Sequence, residues 1–92
     1  MWSNLFYMPK KRNITPVEIE FSAKLAARLR GLRCECGLTQ AAIAERANIA
    51  PNTYQRYESG ESRPGTPLNP EFYTLVDLAK AFDIDLKTLL DI

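Results

Sequence analysis

Four side chains within five positions, Asn52, Thr53, Gln55 and Arg56, give this 92-residue chain its most specific chemistry. Arg pairs bidentately with guanine in the major groove, Asn and Gln pair with adenine, and a Thr methyl can meet a thymine methyl. On a helix these residues face away from Tyr54 and Tyr57, which are three apart and share the inward side. A helix of about two turns carrying that row fits the major groove. The remaining inventory argues against catalysis. The chain has no histidine, no Gly-rich phosphate loop, no metal-ligand cluster and too little length for a cleft, so neither an enzyme, a cofactor nor a metal is expected. Cys34 and Cys36 lie two apart on a predicted helix and point to nearly opposite sides, so they do not readily bridge, and two ligands do not make a structural zinc site. Cys36 is expected to continue the apolar stripe of Leu25, Leu29 and Leu32, and Cys34 to act as a small packing residue. A thiol redox sensor is the lesser alternative.

The elements that must position this row are legible around it. Ala41, Ala44 and Ala47 recur at every third position with Ile43 between them, an apolar helical stripe of small side chains that lets a neighbouring helix approach. Thr39 is a natural N-cap for that helix, and Asn48 suits the left-handed turn that ends it. Pro51 suits the first position of the next helix, which should run to about Glu58 and stop near Ser59-Gly60. Upstream, Thr15-Pro16-Val17-Glu18 is a capping-box signature for a helix over 16–36. A competing pattern, Val17, Ile19 and Phe21 alternating with Glu18 and Glu20, reads as a half-buried strand with Ser22 as the helix cap. The helix is the favoured reading, with Lys24, Arg28 and Arg30 on its solvated side. Downstream, residues 62–70 hold three prolines in seven positions and read as a loop without helix or ladder. A further helix over about 70–82 should turn Phe72, Leu75, Val76, Ala79 and Phe82 to the core. Asp85 should cap a last helix carrying Leu86, Leu89 and Leu90.

Leu32-Arg33, Gly37-Leu38-Thr39-Gln40, Ile43-Ala44, Tyr54, Tyr57-Glu58, Gly60, Pro64, Leu75, Leu78-Ala79, Phe82, Ile84 and Leu89-Leu90 occur in an order that resembles a known family. Over about residues 28–91 the chain resembles the phage-repressor and Cro type of helix-turn-helix domain, also called the xenobiotic-response-element family. The resemblance implies an all-α, five-helix, lambda-repressor-like DNA-binding domain, usually dimeric, that regulates transcription. It also implies roles for single residues. Gln40 matches a glutamine that contacts a DNA phosphate and braces the recognition helix, with Thr39 beside it on the DNA side. Asn52 and Arg56 match positions that reach base edges, and Thr53 and Gln55 add contacts to base or backbone. Arg33 and Glu58 match a pair that joins the first helix to the end of the recognition helix, a partly buried salt bridge with Arg33 also near a phosphate. Arg63 or Thr66 is expected near the DNA backbone. Three positions depart from the pattern. Ala50 stands where Ser or Thr often caps the recognition helix, Pro51 removes a side-chain reader at its first position, and Glu61 is acidic where a basic residue is common.

Length allows one domain with a modest core, too small to add a regulatory domain to a DNA reader. The net charge of +1 hides an asymmetry: residues 1–65 hold ten Lys/Arg against six Asp/Glu, while residues 66–92 hold two against five. The positive part contains the reader, as an electrostatic footprint requires, but it is weakly basic, so tight binding calls for two copies. Residues 1–14 are assigned to an N-terminal arm and 15–92 to the DNA-binding domain. Trp2, Leu5, Phe6, Tyr7 and Met8 are too few to span a membrane and too apolar for an inert tail. Two readings stay open for them: a disordered leader with Met8 as the true start, or an arm packing on a second subunit. Lys10-Lys11-Arg12 can lie along phosphates or enter a minor groove, though such a run is usually solvated. The expected function is a sequence-specific, homodimeric repressor reading an inverted repeat in double-stranded DNA. The alternative is a protein-interaction module, such as an antitoxin that binds a toxin. Free cysteines, no signal peptide and no long apolar run point to the cytoplasm and away from membranes.

Overall fold

The computed structural model describes residues 13–92. The expectations for Trp2 to Met8 and for Lys10-Lys11-Arg12 lie outside the described residues. The architecture is all-α: five helices with a small two-stranded hairpin between the third and fourth.

Helix α1 (Pro16–Cys36) resolves the strand-or-helix ambiguity in favour of the helix. The Thr15 hydroxyl accepts from the Glu18 amide at 3.2 Å and the Thr15 amide donates to the Glu18 carboxylate at 3.3 Å, closing the capping box. Ser22, Leu25, Ala26 and Leu29, at i, i+3, i+4 and i+7, form its buried stripe. The alternation of Val17, Ile19 and Phe21 loses, and all three are left at least half exposed. The stripe fades at the half-buried Leu32. Both Cys34 and Cys36 are exposed, so their assignment to packing is corrected. Gly37, at φ 68°, ends the helix in a left-handed cap, with the Gly37 and Leu38 amides donating back to Cys34 and Arg33.

Helices α2 (Gln40–Ala47) and α3 (Pro51–Ser59) are joined through Asn48, at φ 57° and ψ 44°. The Asn48 amide donates to the Glu45 carbonyl and the Ile49 amide to Ala44, the paired bonds of a Schellman stop. The small-residue stripe is narrower than the spacing predicts. Ile43, Ala44 and Ala47 are buried, whereas Ala41 is exposed.

Strands β1 (Glu61–Arg63) and β2 (Thr66–Pro67) pair antiparallel, Glu61 with Pro67 and Arg63 with Thr66. This corrects the expectation of a loop without a ladder. Pro64 and Gly65 occupy the turn, where a fixed φ followed by Gly65 at φ 80° is favourable, and Pro67 ends the second strand, where a missing N–H is tolerated. Helix α4 (Phe72–Ala81) starts two residues later than expected. Its buried positions are Leu75, Leu78, Ala79 and Ala81, with Phe82 just beyond, while Val76 is half-buried. Phe72 is 59 % exposed, so the predicted core face is rotated toward Leu78. Asp83, at φ 58°, ends α4, and Asp85 caps α5 (Leu86–Leu89) by accepting from the Thr88 amide at 2.7 Å. Leu89 is buried and Leu90 is exposed.

One core unites these helices: Leu25, Leu29, Ile43, Tyr54, Leu78 and Leu89 are among its buried members. α1 packs on α3, and α2 packs on both α3 and α4. The short α2 and α3 are held by this burial rather than by helix propensity, because isolated helices under about 12 residues are marginal in water.

Candidate nucleic-acid interface

The inner side of α3 carries Tyr54, Tyr57 and Glu58, all buried. Glu58 is 3 % exposed, an uncommon place for a carboxylate, and its partners explain it. Arg33 of α1 grips it through two bonds, Nε to Oε2 at 2.6 Å and Nη2 to Oε1 at 3.1 Å. Gln40 donates from Nε2 to Oε1 at 2.9 Å, and the Tyr54 hydroxyl donates to Oε2 at 2.5 Å. Arg33 spends a further N–H on the Leu38 carbonyl, and Arg30 donates to the Glu58 backbone carbonyl. One acidic side chain thus ties three helices together.

Burial alone pushes the Glu58 carboxyl pKa up, but the hydrogen bonds from Arg33, Tyr54 and Gln40 outweigh it and hold the pKa below its ordinary value. Burial, and then the adjacent carboxylate, raises the Tyr54 phenol well above its usual range. The bond to Glu58 raises the Arg33 guanidinium further against the opposing effect of desolvation. The network is therefore an ionised one at neutral pH, with Tyr54 as a neutral donor.

Two more contacts fix α3. The Tyr57 hydroxyl accepts from the Glu71 amide at 3.1 Å, joining α3 to the start of α4. Gly60 at φ 78° caps α3, its amide donating to Arg56 at 2.9 Å, and a Cβ there would meet the Ser22 carbonyl at 3.1 Å. Glycine is favoured at that position both by the left-handed backbone and by the close passage of α1. Ala50 makes no side-chain cap, and Pro51 sits in the first turn, as read from the sequence.

The outer side is the complement of this. Asn52, Gln55 and Arg56, at i, i+3 and i+4, are exposed along one stripe, with Thr53 half-buried at its edge. Thr39 is exposed at the N-terminus of α2, where its oxygen accepts from the Ala42 amide at 3.1 Å and leaves the hydroxyl proton to donate elsewhere. Gln40 commits one amide N–H to Glu58 and retains a second. Arg63 is exposed on β1, next in the chain to the end of α3. Glu61 accepts from the Gly65 amide at 3.3 Å, so its carboxylate serves the hairpin turn.

The helix-turn-helix domain family model matches residues 24–89. The chain belongs to this helix-turn-helix family. Comparison with curated proteins and with solved structures found no match. α2 and α3, joined through Asn48, are the first and second helices of the motif. Family membership supports a DNA-binding domain of the regulatory kind. Among the described residues, no helix is long and apolar enough to cross a membrane.

Some of the machinery was missed in the sequence. Arg28 and Arg30 read as solvated charges, yet Arg28 donates to the Thr88 carbonyl at 2.9 Å, joining α1 to α5, and Arg30 holds the end of α3. A usable signal existed for Arg30: it stands three residues before Arg33, on one side of the helix. Lys24 does sit in solvent, paired with Glu20 at 3.0 Å. Tyr54 read only as an inward aromatic, and nothing in its spacing announced the bond to Glu58.

Proposed function

We propose that this protein is a sequence-specific DNA-binding regulator that inserts α3 into the major groove, acting as a homodimeric repressor on an inverted repeat. The observation that carries the reading is the two-sidedness of α3: a row of base-reading types is exposed on a helix whose opposite side is locked by a buried ionic network. Preorganisation of that kind suits recognition, because a reader held in one geometry loses little freedom on binding. Asn52, Gln55 and Arg56 are assigned to base edges, Thr53 to base or backbone, and Thr39, Gln40 and Arg63 to phosphates. A dimer would place its two readers about 34 Å apart, one helical turn, on the same face of the duplex.

Selection of bound sequences from random double-stranded DNA tests all of this together. The expected product is a palindromic logo with half-sites about one turn apart and affinity that falls steeply with salt. Absence of retention, or binding indifferent to salt, sinks the reading. A second reading, a protein-interaction module of the antitoxin kind, draws on the exposed apolar side chains of α1 and α4, among them Phe21 and Phe72. Salt-insensitive capture of a protein partner without DNA retention would favour it.

A further inference from the structure

Beside the reading stripe of α3 lies a recess of about 450 Å³, within the size range of small-molecule sites. Ile49, Leu68 and Tyr57 give it an apolar floor, and all three belong to the core or pack against it. Thr53, Ser62, Asn69 and Thr74 bring hydroxyl and amide groups to the same lining, and none of these side chains has a hydrogen-bond partner among the described residues. The charged residues of the lining are Arg56 and Glu71. Both are exposed, and among the described residues no ion pair or side-chain hydrogen bond engages either the Arg56 guanidinium or the Glu71 carboxylate. The bond from the Glu71 amide to the Tyr57 hydroxyl fixes where Glu71 stands relative to α3.

We infer that this recess binds a free amino acid with an apolar side chain, and that the bound ligand withdraws Arg56 from base contact. Charge selects the ligand class. A simple carboxylate or inorganic phosphate would be attracted by Arg56 and repelled by Glu71, and a simple amine would meet the reverse conflict. A zwitterion answers both: its carboxylate accepts from the Arg56 guanidinium and its ammonium donates to the Glu71 carboxylate, in charge-assisted bonds of the stronger class. A free amino acid carries both charges on one carbon and leaves its side chain for the apolar floor. A ligand of about a dozen heavy atoms held this way reaches an affinity on the order of millimolar.

The binding site stands on the recess alone, whereas the effector role rests on the assignment of Arg56 to base edges. A guanidinium engaged by a carboxylate in the recess is not free to pair bidentately with guanine. Ligand and DNA must then weaken each other by the same factor, because coupling between two binding events is reciprocal.

Heteronuclear NMR of the full chain without DNA tests the site, with L-leucine, L-phenylalanine and L-tryptophan titrated singly as probes. At least one should give saturable shifts of the Thr53, Ser62, Leu68 and Thr74 amides. Its N-acetyl derivative, which lacks the ammonium, and its carboxamide, which lacks the carboxylate, should each bind about tenfold more weakly or worse, the loss expected for one hydrogen bond to a charged group. Glu71→Gln should weaken the amino acid by a similar factor without weakening the N-acetyl derivative, while helical circular dichroism and DNA binding are retained. No saturable shift with any of the three probes overturns the site. Equal binding of the two derivatives and the parent, or affinity indifferent to Glu71→Gln, also overturns it. With DNA selected for binding, saturating ligand should lower the apparent DNA affinity about tenfold or more in the wild type. Saturation of the recess with no loss of DNA affinity overturns the effector role. If no DNA is retained at all, that role falls with the regulator reading, and the titration still decides the site.

Discussion

The two sides of α3 share nine residues and obey opposite rules. On the inner side, Tyr54, Tyr57 and Glu58 have polar side-chain atoms committed to partners on α1 and α2, within α3 and just ahead of α4. On the outer side, Asn52, Gln55 and Arg56 stand in solvent. Rigidity on one side is what makes readiness on the other useful: hydrogen-bonding groups left in water are specific only if the helix carrying them cannot roll. Substitutions on the inner side should change stability, and those on the outer side should change recognition.

The sharpest way to break that division is Glu58→Ala. It removes the acceptor shared by Arg33, Gln40 and Tyr54 and strands a partly buried guanidinium, with an expected loss of about 3–5 kcal/mol in unfolding free energy. Urea denaturation measures it, and a loss near that of an ordinary surface substitution would show that the network does not hold the fold. Acid tests the same group without mutation. The folded-state pKa of Glu58 is depressed, so its contribution to stability is fully present above the unfolded value of 4.5 and is lost as pH falls through the lower folded value. Stability should therefore decline more steeply below about pH 4.5 in the wild type than in Glu58→Gln, as followed by thermal melts across pH.

The outer side should respond in kind. Arg56→Ala is expected to leave the melting temperature nearly unchanged while costing about 1–3 kcal/mol at particular base pairs. An unaltered binding-site logo would remove Arg56 from the readers. Gln40→Ala straddles the two sides, and should weaken binding to all sequences about evenly while lowering stability less than Glu58→Ala, because Arg33 and Tyr54 remain on the carboxylate. The smallest effect should be a gain. Ala50→Ser restores a missing cap to α3 and is expected to stabilise the domain by about 1 kcal/mol, read as a raised urea midpoint.

How much of this was legible depended on how local its cause was. The capping box at Thr15 and Glu18, the cap at Thr39, the left-handed Asn48, Pro51 opening α3, Gly60 closing it and the cap at Asp85 all depend on atoms within a few residues of one another. Each was readable from residue type and spacing. Most differences arise where a neighbour distant in sequence makes the decision. Phe72 fits an apolar helical stripe as well as Leu78 does, but only the position of α2 determines which side of α4 meets the core. Cys36 continues a stripe that runs past the end of the packed region. The hairpin over 61–67 is a local exception: prolines at 64 and 67 argue against a ladder, yet their placement in the turn and at a strand end is compatible with one.

The sequence by itself determined where α1, α2, α3 and α5 begin, and which residue types they display, because capping and turn chemistry act over one turn of backbone. The family resemblance pointed to the pair of Arg33 with Glu58 and to Gln40 as a brace; only the tertiary structure decided that Glu58 is fully buried with Tyr54 as a further donor, that Arg30 supports the same helix end, and that Val17 and Phe21 line an open groove. Those outcomes depend on helices far apart in the chain meeting at particular angles. Desolvation and ion pairing exist only once they have met.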